Sequence, residues 1–209
     1  MDASALPIAA ISYLAGGIPT GYLVAKQVKG IDIREHGSGN PGTANVYRTV
    51  GKGAGIVTFM VDALKGFLPV VLASHYFPGD DGVMVLCGAL AIVGHVWTIF
   101  LRFKGGKAVA TSAGVFLALA PKPALFAFIV FGVGVALTGH ISVGSMAGAL
   151  LFPFFVVGFG SPKPVIGLAF GATLLILIRH IPNLKRLLKR EELHFSGGDG
   201  PGSDAAKKS

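Results

Sequence analysis

Charge is scarce in this sequence. Only 13 % of its 209 residues are Asp, Glu, Lys or Arg, about half of the ~25 % usual in a soluble domain. Hydrophobic residues make up 52 %, and the mean hydropathy is +0.69. These values exclude an ordinary soluble domain and indicate a polytopic membrane protein. Acidic residues are the scarcest charge, 10 against 18 basic, for a net charge of +8. The bases cluster between apolar runs, which suits membrane topology and an anionic lipid or substrate and argues against nucleic acid. A single cysteine, Cys87, lies inside an apolar run. It excludes an intrachain disulfide and reads as a packing residue. No Cys/His/carboxylate cluster has metal-ligand spacing, so neither a metal nor another cofactor is expected. No Gly-x-Ser-x-Gly elbow occurs, because Ser38 stands in His-Gly-Ser-Gly-Asn. His95 and His140 are isolated in apolar surroundings and read as satisfied bundle histidines. His75 and Asp80 share a His-x4-Asp spacing, but the topology below puts them at the outer end of a span, so the match reads as chance.

What is abundant is apolar runs. Seven can be drawn, at about 5–25, 54–78, 82–101, 108–120, 123–139, 143–159 and 164–179. Several approach the ~20 residues a spanning helix needs. Lipid offers exposed backbone no partners, so each must be helical. The first run lacks a basic leader and a cleavage site, and reads as a retained span. With the N-terminus outside, 15 of the 18 basic residues fall on inner segments, which predicts an outer N-terminus and a cytoplasmic C-terminus. The run 108–120 is short and bounded by Pro121 and Pro123. It is counted as a span because making it re-entrant would send the basic C-terminal segment outside. Asp62 and Lys65 share a helical face in the second span and pair, or else line a cavity. Residues 183–193 read as a short amphipathic interfacial helix. The expectation is therefore an all-α integral membrane protein with one domain over 1–193. The tail 194–209 is too polar to build a core; it reads as disordered, and part of it as an expression remnant.

Three polar intervals meet the inner face in this topology. His36 to Lys52 is the longest, with four glycines and Pro41 framing Ser38, Asn40, Thr43, Asn45 and Arg48. Glycines at such density argue for a shaped loop with close backbone approach. The second, Phe103 to Ser112, places Gly105, Gly106 and Lys107 before a helix, with Thr111 and Ser112 in its first turns. A glycine-led helix start with a lysine suits phosphate. It is not the nucleotide P-loop, because Leu101 stands where that motif needs its first glycine. The third is Arg179-His180-Ile181-Pro182-Asn183. Two readings remain from the residues alone, a membrane enzyme handling anionic substrates and a transporter of an organic phosphate.

In order, Gly37-Ser38-Gly39-Asn40-Pro41-Gly42-Thr43-Ala44-Asn45-Val46-Tyr47-Arg48, then Gly105-Gly106-Lys107-Ala108-Val109-Ala110-Thr111, then His180-Ile181-Pro182-Asn183-Leu184-Lys185-Arg186-Leu187 resemble the bacterial acyl-phosphate-dependent glycerol-3-phosphate acyltransferase family. The resemblance runs from the first span to the interfacial helix. It implies a small enzyme of the bacterial inner membrane that transfers a fatty acyl group from acyl phosphate to the 1-hydroxyl of glycerol 3-phosphate, giving lysophosphatidate for phospholipid synthesis. It implies roles in substrate binding and catalysis for Ser38, Arg48, Gly105, Gly106, Lys107, His180 and Asn183, and a structural role for a glutamate, Glu191 or Glu192, near the third motif. Two departures stand out: Thr43-Ala44 reverses the usual order, and Tyr47 replaces a common leucine.

The chemistry fits the residues. Both substrates carry phosphate, and two basic glycine-rich loops face them. Acyl phosphate is an activated mixed anhydride, so the glycerol hydroxyl can attack directly without an acyl-enzyme, given orientation and a stabilised oxyanion. Ser38, Lys107, His180 and Asn183 are the expected catalytic set. Gly39, Asn40, Thr43, Asn45, Arg48, Gly105, Gly106, Thr111 and Ser112 are the expected substrate and phosphate contacts. His180 or a phosphate oxygen of the donor takes the proton. The partners implied are the two substrates and membrane lipid, with no nucleic acid and no obligate protein partner.

Overall fold

The structure, a computed structural model, describes residues 4–195. Most of the polar tail assigned to 194–209 therefore lies outside the described residues. Among the described residues there is no strand. The ten α-helices are α1 (Ala5–Gly17), α2 (Thr20–Lys29), α3 (Thr43–Thr49), α4 (Lys52–Tyr76), α5 (Asp81–Val96), α6 (Val109–Leu119), α7 (Pro121–Thr138), α8 (Ile141–Gly158), α9 (Lys163–Arg179) and α10 (Ile181–Leu188).

Five stretches are long and apolar enough to cross a membrane: Ala5–Lys29, Lys52–Tyr76, Asp81–Leu101, Pro121–Thr138 and Ile141–Gly158. A sixth is reached when α9 is joined to α10 across a 49° bend. The run at 108–120 forms only the 11-residue α6, about 16 Å of helix against a hydrocarbon core of about 30 Å. Exposed apolar residues such as Ile56, Met60, Leu64 and Leu68 run along α4, as expected for a face solvated by lipid.

Glycine sets the helix crossings. A methyl group at Gly16 would overlap the backbone of Ala91, and one at Gly94 the Tyr13 carbonyl, so α1 and α5 touch backbone to backbone. Gly66 and Gly114 do the same between α4 and α6, against Thr111 and Ala63. Without a hydrophobic drive between helices in lipid, such close approach supplies the packing. Cys87 is buried among Ala5, Ala73 and Val83, as a packing residue should be. Asp80 accepts from the Val83 N–H at 3.0 Å and caps α5, so its spacing from His75 serves a helix start.

Several polar groups inside the bundle are paired, while the Thr111, Ser112 and Ser142 hydroxyls are buried without a hydrogen-bond partner. Lys65 Nζ lies 2.7 Å from Asp62 Oδ1. The first span breaks at Ile18-Pro19, and the freed carbonyls find donors: Lys65 Nζ to Ile18 O at 2.7 Å, and Thr98 Oγ1 to Gly17 O at 2.5 Å. His95 is not isolated as expected, since its Nδ1 stands 3.9 Å from Asp62 Oδ1. The helix expected over 183–193 is shorter. It ends at Leu188, Arg190 turns left-handed with φ 58°, and Glu191 N–H closes back on Arg186 O at 2.8 Å. The chain then runs over the α7–α8 turn, where Phe195 N–H donates to Gly139 O at 2.7 Å.

Gly94→Val should lower the thermal midpoint in detergent by several degrees, an overpacking cost of about 1–3 kcal/mol. Gly132→Ala in α7, where nothing lies within 4 Å, should leave the midpoint unchanged or slightly raised. Equal midpoints for the two variants would refute the close-crossing account.

Candidate active site

The first loop is built around one side chain. Asn45, 2 % exposed, donates Nδ2 to Ile33 O at 3.1 Å and to His36 O at 2.9 Å. Its Oδ1 accepts from Ser38 N–H at 3.0 Å and from Thr49 Oγ1 at 3.4 Å. An amide can make four such bonds, so Asn45 has none left for a ligand. Expected as a substrate contact, it is instead the hub of the loop. Gly37, at φ +58°, leaves no room for a Cβ beside Asn45 Oδ1. Asn40 Oδ1 accepts from Gly42 N–H at 2.9 Å and turns the chain into α3. Together these turn Ser38, Gly39 and Asn40 into a cleft of about 680 Å³.

Arg34 also lines that cleft. Its Nη2 lies 2.6 Å from Asp32 Oδ2, and the hydrogen bond from Arg34 holds the Asp32 carboxyl down at about 2. The pair is locally neutral.

The second loop presents a lysine. Gly105 N–H donates to Val96 O at 3.0 Å and Gly106 N–H to His95 O at 3.1 Å. Expected as phosphate donors, these two amides are already bonded within the protein. The glycines instead allow the turn to lie against α5, where a Cβ on either would overlap the His95–Val96 backbone or the His95 ring. Lys107 then points to the third motif and donates Nζ to Asn183 Oδ1. Thr111 and Ser112, 0 % and 4 % exposed, face the helix interior and do not line the cleft.

The third motif completes a polar chain. Asn183 Nδ2 donates to Glu192 Oε1, and Arg186 Nε to Glu192 Oε2 at 2.7 Å. Of the two candidate glutamates, Glu192 is thus the one in contact. Burial pushes its carboxyl up, but the hydrogen bonds from Asn183 and Arg186 outweigh that and hold it below the usual carboxylate range. Lys107 is pushed down to about 8, first by burial and then by the positive charge of Arg186. His180, 3 % exposed, sets Nδ1 2.8 Å from Ile176 O. A carbonyl only accepts, so Nδ1 carries the proton, and in the neutral ring Nε2 keeps its lone pair.

The cleft wall holds Ser38, Gly39, Asn40, Gly105 and Lys107, joined by Lys104, Arg179 and Arg186. Asn183 reaches it through Lys107. Arg48 lies close enough to feel the charges of Glu192 and Arg186. The Thr43 hydroxyl is buried without a hydrogen-bond partner. Arg179 Nη2 donates to Gly105 O at 3.1 Å and ties the third motif to the second. Arg34, Lys104, Arg179 and Arg186 are the cleft cations outside the expected site. The signal was present: Arg186 is three residues after Asn183, on the same face of α10.

Fold and cleft define a polytopic α-helical membrane protein with one basic site where three polar motifs converge. A model of the family described as glycerol-3-phosphate acyltransferase matches residues 6–190, and the chain belongs to that family. It is 45 % identical over 182 residues to a glycerol-3-phosphate acyltransferase of Endomicrobium trichonymphae, covering 87 % of this chain and 91 % of that one. It is 42 % identical over 190 residues to the enzyme of that name from Geobacter sulfurreducens, covering 91 % and 97 %. Among solved structures it resembles PlsY, an integral membrane glycerol 3-phosphate acyltransferase, in its glycerol 3-phosphate form, at 38 % identity and a TM-score of 0.87 over 91 % of this chain and 95 % of that one. The lysophosphatidic acid form of PlsY matches at a TM-score of 0.85 over the same shares. The chain is thus an acyltransferase, and the transporter reading falls away.

Asn45→Ala removes partners from Ile33 O, His36 O and Ser38 N–H. At about 1 kcal/mol for each lost bond, the variant should melt earlier and be cut faster by protease within 36–42. A wild-type cleavage rate would show that the loop does not depend on Asn45.

Proposed function

We propose that the protein transfers a fatty acyl group from acyl phosphate to the 1-hydroxyl of glycerol 3-phosphate and releases lysophosphatidate and inorganic phosphate. The observation that carries this reading is the convergence of Arg34, Lys104, Lys107, Arg179 and Arg186 on one cleft. Two phosphate-bearing substrates need such a site. The relatives bear the matching name, and PlsY is described in glycerol 3-phosphate and lysophosphatidic acid forms.

In this mechanism the glycerol hydroxyl attacks the acyl carbonyl directly, and phosphate leaves with the bonding electrons. Lys107 neutralises the donor phosphate and the developing oxyanion. Asn183, held by Glu192, fixes the ammonium of Lys107 and can reach the acceptor. Ser38 and Asn40 supply polar contacts from the first loop, and Arg48 and Arg186 hold the second phosphate. His180 Nε2 takes the hydroxyl proton, or a phosphate oxygen of the donor does. The acyl tail lies between helices, where small residues leave a groove. Residues 1–193 act as one catalytic domain. The N-terminus lies outside; α9 crosses alone with α10 resting on the inner interface; α6, short but buried against α4 and not facing lipid along its length, counts as the seventh crossing; and the cleft opens to the cytoplasm of a bacterial inner membrane. Support for this orientation comes from the basic residues, which crowd the cleft end of the bundle.

Purified protein given acyl phosphate and glycerol 3-phosphate should form lysophosphatidate; folded protein that forms none would sink the proposal. Lys107→Ala should lose at least about 10-fold in kcat/KM, about 1.4 kcal/mol of transition-state stabilisation. Because Lys107 is cationic below its value of about 8, kcat/KM should fall as pH rises through that region, and Lys107→Arg should move the fall to higher pH. A flat profile from pH 7 to 9.5 would remove the ammonium from the mechanism. His180→Gln separates the two bases, since a near-normal kcat assigns the proton to the donor phosphate. An N-terminal tag protected from outside reagents would overturn the orientation.

A further inference from the structure

Beside the Gly105–Gly106 turn, in a space that shares Pro41 and Gly105 with the cleft, sits a polar cluster that the proposed reaction does not use. Asp62 and Lys65 come from α4 and His95 from α5, with exposures of 2 %, 7 % and 8 %. Lys65 Nζ lies 2.7 Å from Asp62 Oδ1 and donates to Ile18 O at 2.7 Å, which anchors the cluster to the break between α1 and α2. His95 Nδ1 stands 3.9 Å from the same Asp62 oxygen. On its other side His95 meets the loop twice. Its carbonyl accepts from Gly106 N–H at 3.1 Å, and its ring lies so close to Gly106 that a Cβ there would overlap Nε2.

The space among these groups is about 10 Å³, walled by Gly105 and Gly106. That is room for one water molecule, and no phosphate-bearing substrate enters it. The Gly105–Gly106 turn is the direct covalent route from this cluster to Lys107. Helix packing alone does not call for the cluster, because apolar side chains of similar volume would fill an apolar bundle at lower cost. Lys107 is one residue beyond Gly106, so the tilt of this turn sets where its ammonium meets Asn183.

We propose that His95 is a positioning residue for acyl transfer: braced by the Asp62–Lys65 pair, it fixes the Gly105–Gly106 turn and so directs Lys107 into the cleft. This rests on the reaction and the Lys107 role proposed above.

The test is a double-mutant cycle on the full chain, with kcat, KM and thermal midpoint measured for His95→Phe, Lys107→Ala and the double variant. His95→Phe should lower kcat at least about 10-fold in the wild-type background yet less than about 2-fold on top of Lys107→Ala, because residues acting on one step are non-additive. His95→Gln, which keeps a polar side chain facing Asp62, should recover most of the loss. Full multiplication of the two effects, or wild-type kcat in folded His95→Phe, overturns the positioning role while leaving the reaction standing. An unaffected Lys107→Ala overturns both the Lys107 role and this inference, and absence of lysophosphatidate from wild-type protein marks failure of the reaction itself. If His95→Phe does not fold, Gly106→Ala, whose added methyl meets the His95 ring, takes its place in the cycle with the same expected outcomes.

Discussion

A polar group inside an apolar bundle has to find its partner in the protein, because lipid supplies none. Most of this architecture follows from that constraint. Where the first span breaks at Ile18-Pro19, the exposed carbonyls draw Lys65 and Thr98 onto them. Where the chain leaves the third span, the Gly105 and Gly106 amides turn back onto Val96 and His95. Where the loop between α2 and α3 folds over, a single buried amide, Asn45, satisfies three backbone groups and a hydroxyl. At the second of these turns the bonds leave Lys107 aimed at the cleft.

The same constraint organises charge. Of the five cations on the cleft, Arg34 is neutralised by Asp32; the other four repel one another, and burial adds to the cost. Glu192 offsets part of this by sitting between Asn183 and Arg186. The resulting chain from Lys107 to Arg186 holds four side chains in one geometry while leaving a net positive cleft. Lys107 at about 8 shows the balance: it is cationic at neutral pH but held against the pull of desolvation and like charge. The proposed direct transfer, which uses no enzyme nucleophile, depends on such preorganised charge.

The C-terminal segment contributes to that balance from an unexpected direction. After α10 the chain reverses at Arg190 and crosses the α7–α8 turn, where Phe195 stacks on Tyr47 at 5.0 Å between ring centroids and His194 lies on His140 at 4.3 Å. Glu192 reaches Asn183 because of this reversal. A helix continued to residue 193 would have carried it away.

Sequence alone determined the class of the protein and the identity of its motifs. Apolar run length, low charge and the distribution of bases are local properties, and spanning helices form largely from local bonds. The motifs carry their own residue order, so Ser38, Lys107 and Asn183 were legible before any fold. Tertiary structure decided which polar groups are free and which are used. Asn45 and the Gly105–Gly106 amides looked like ligand contacts and are instead consumed by the loops. Arg179 and Arg186 looked like topology signals and line the cleft. His95 looked isolated, yet its carbonyl accepts from the Gly106 amide and its ring lies near Asp62. The reason is physical: a side chain's availability depends on every donor and acceptor around it, and those partners are brought together from segments far apart in the chain.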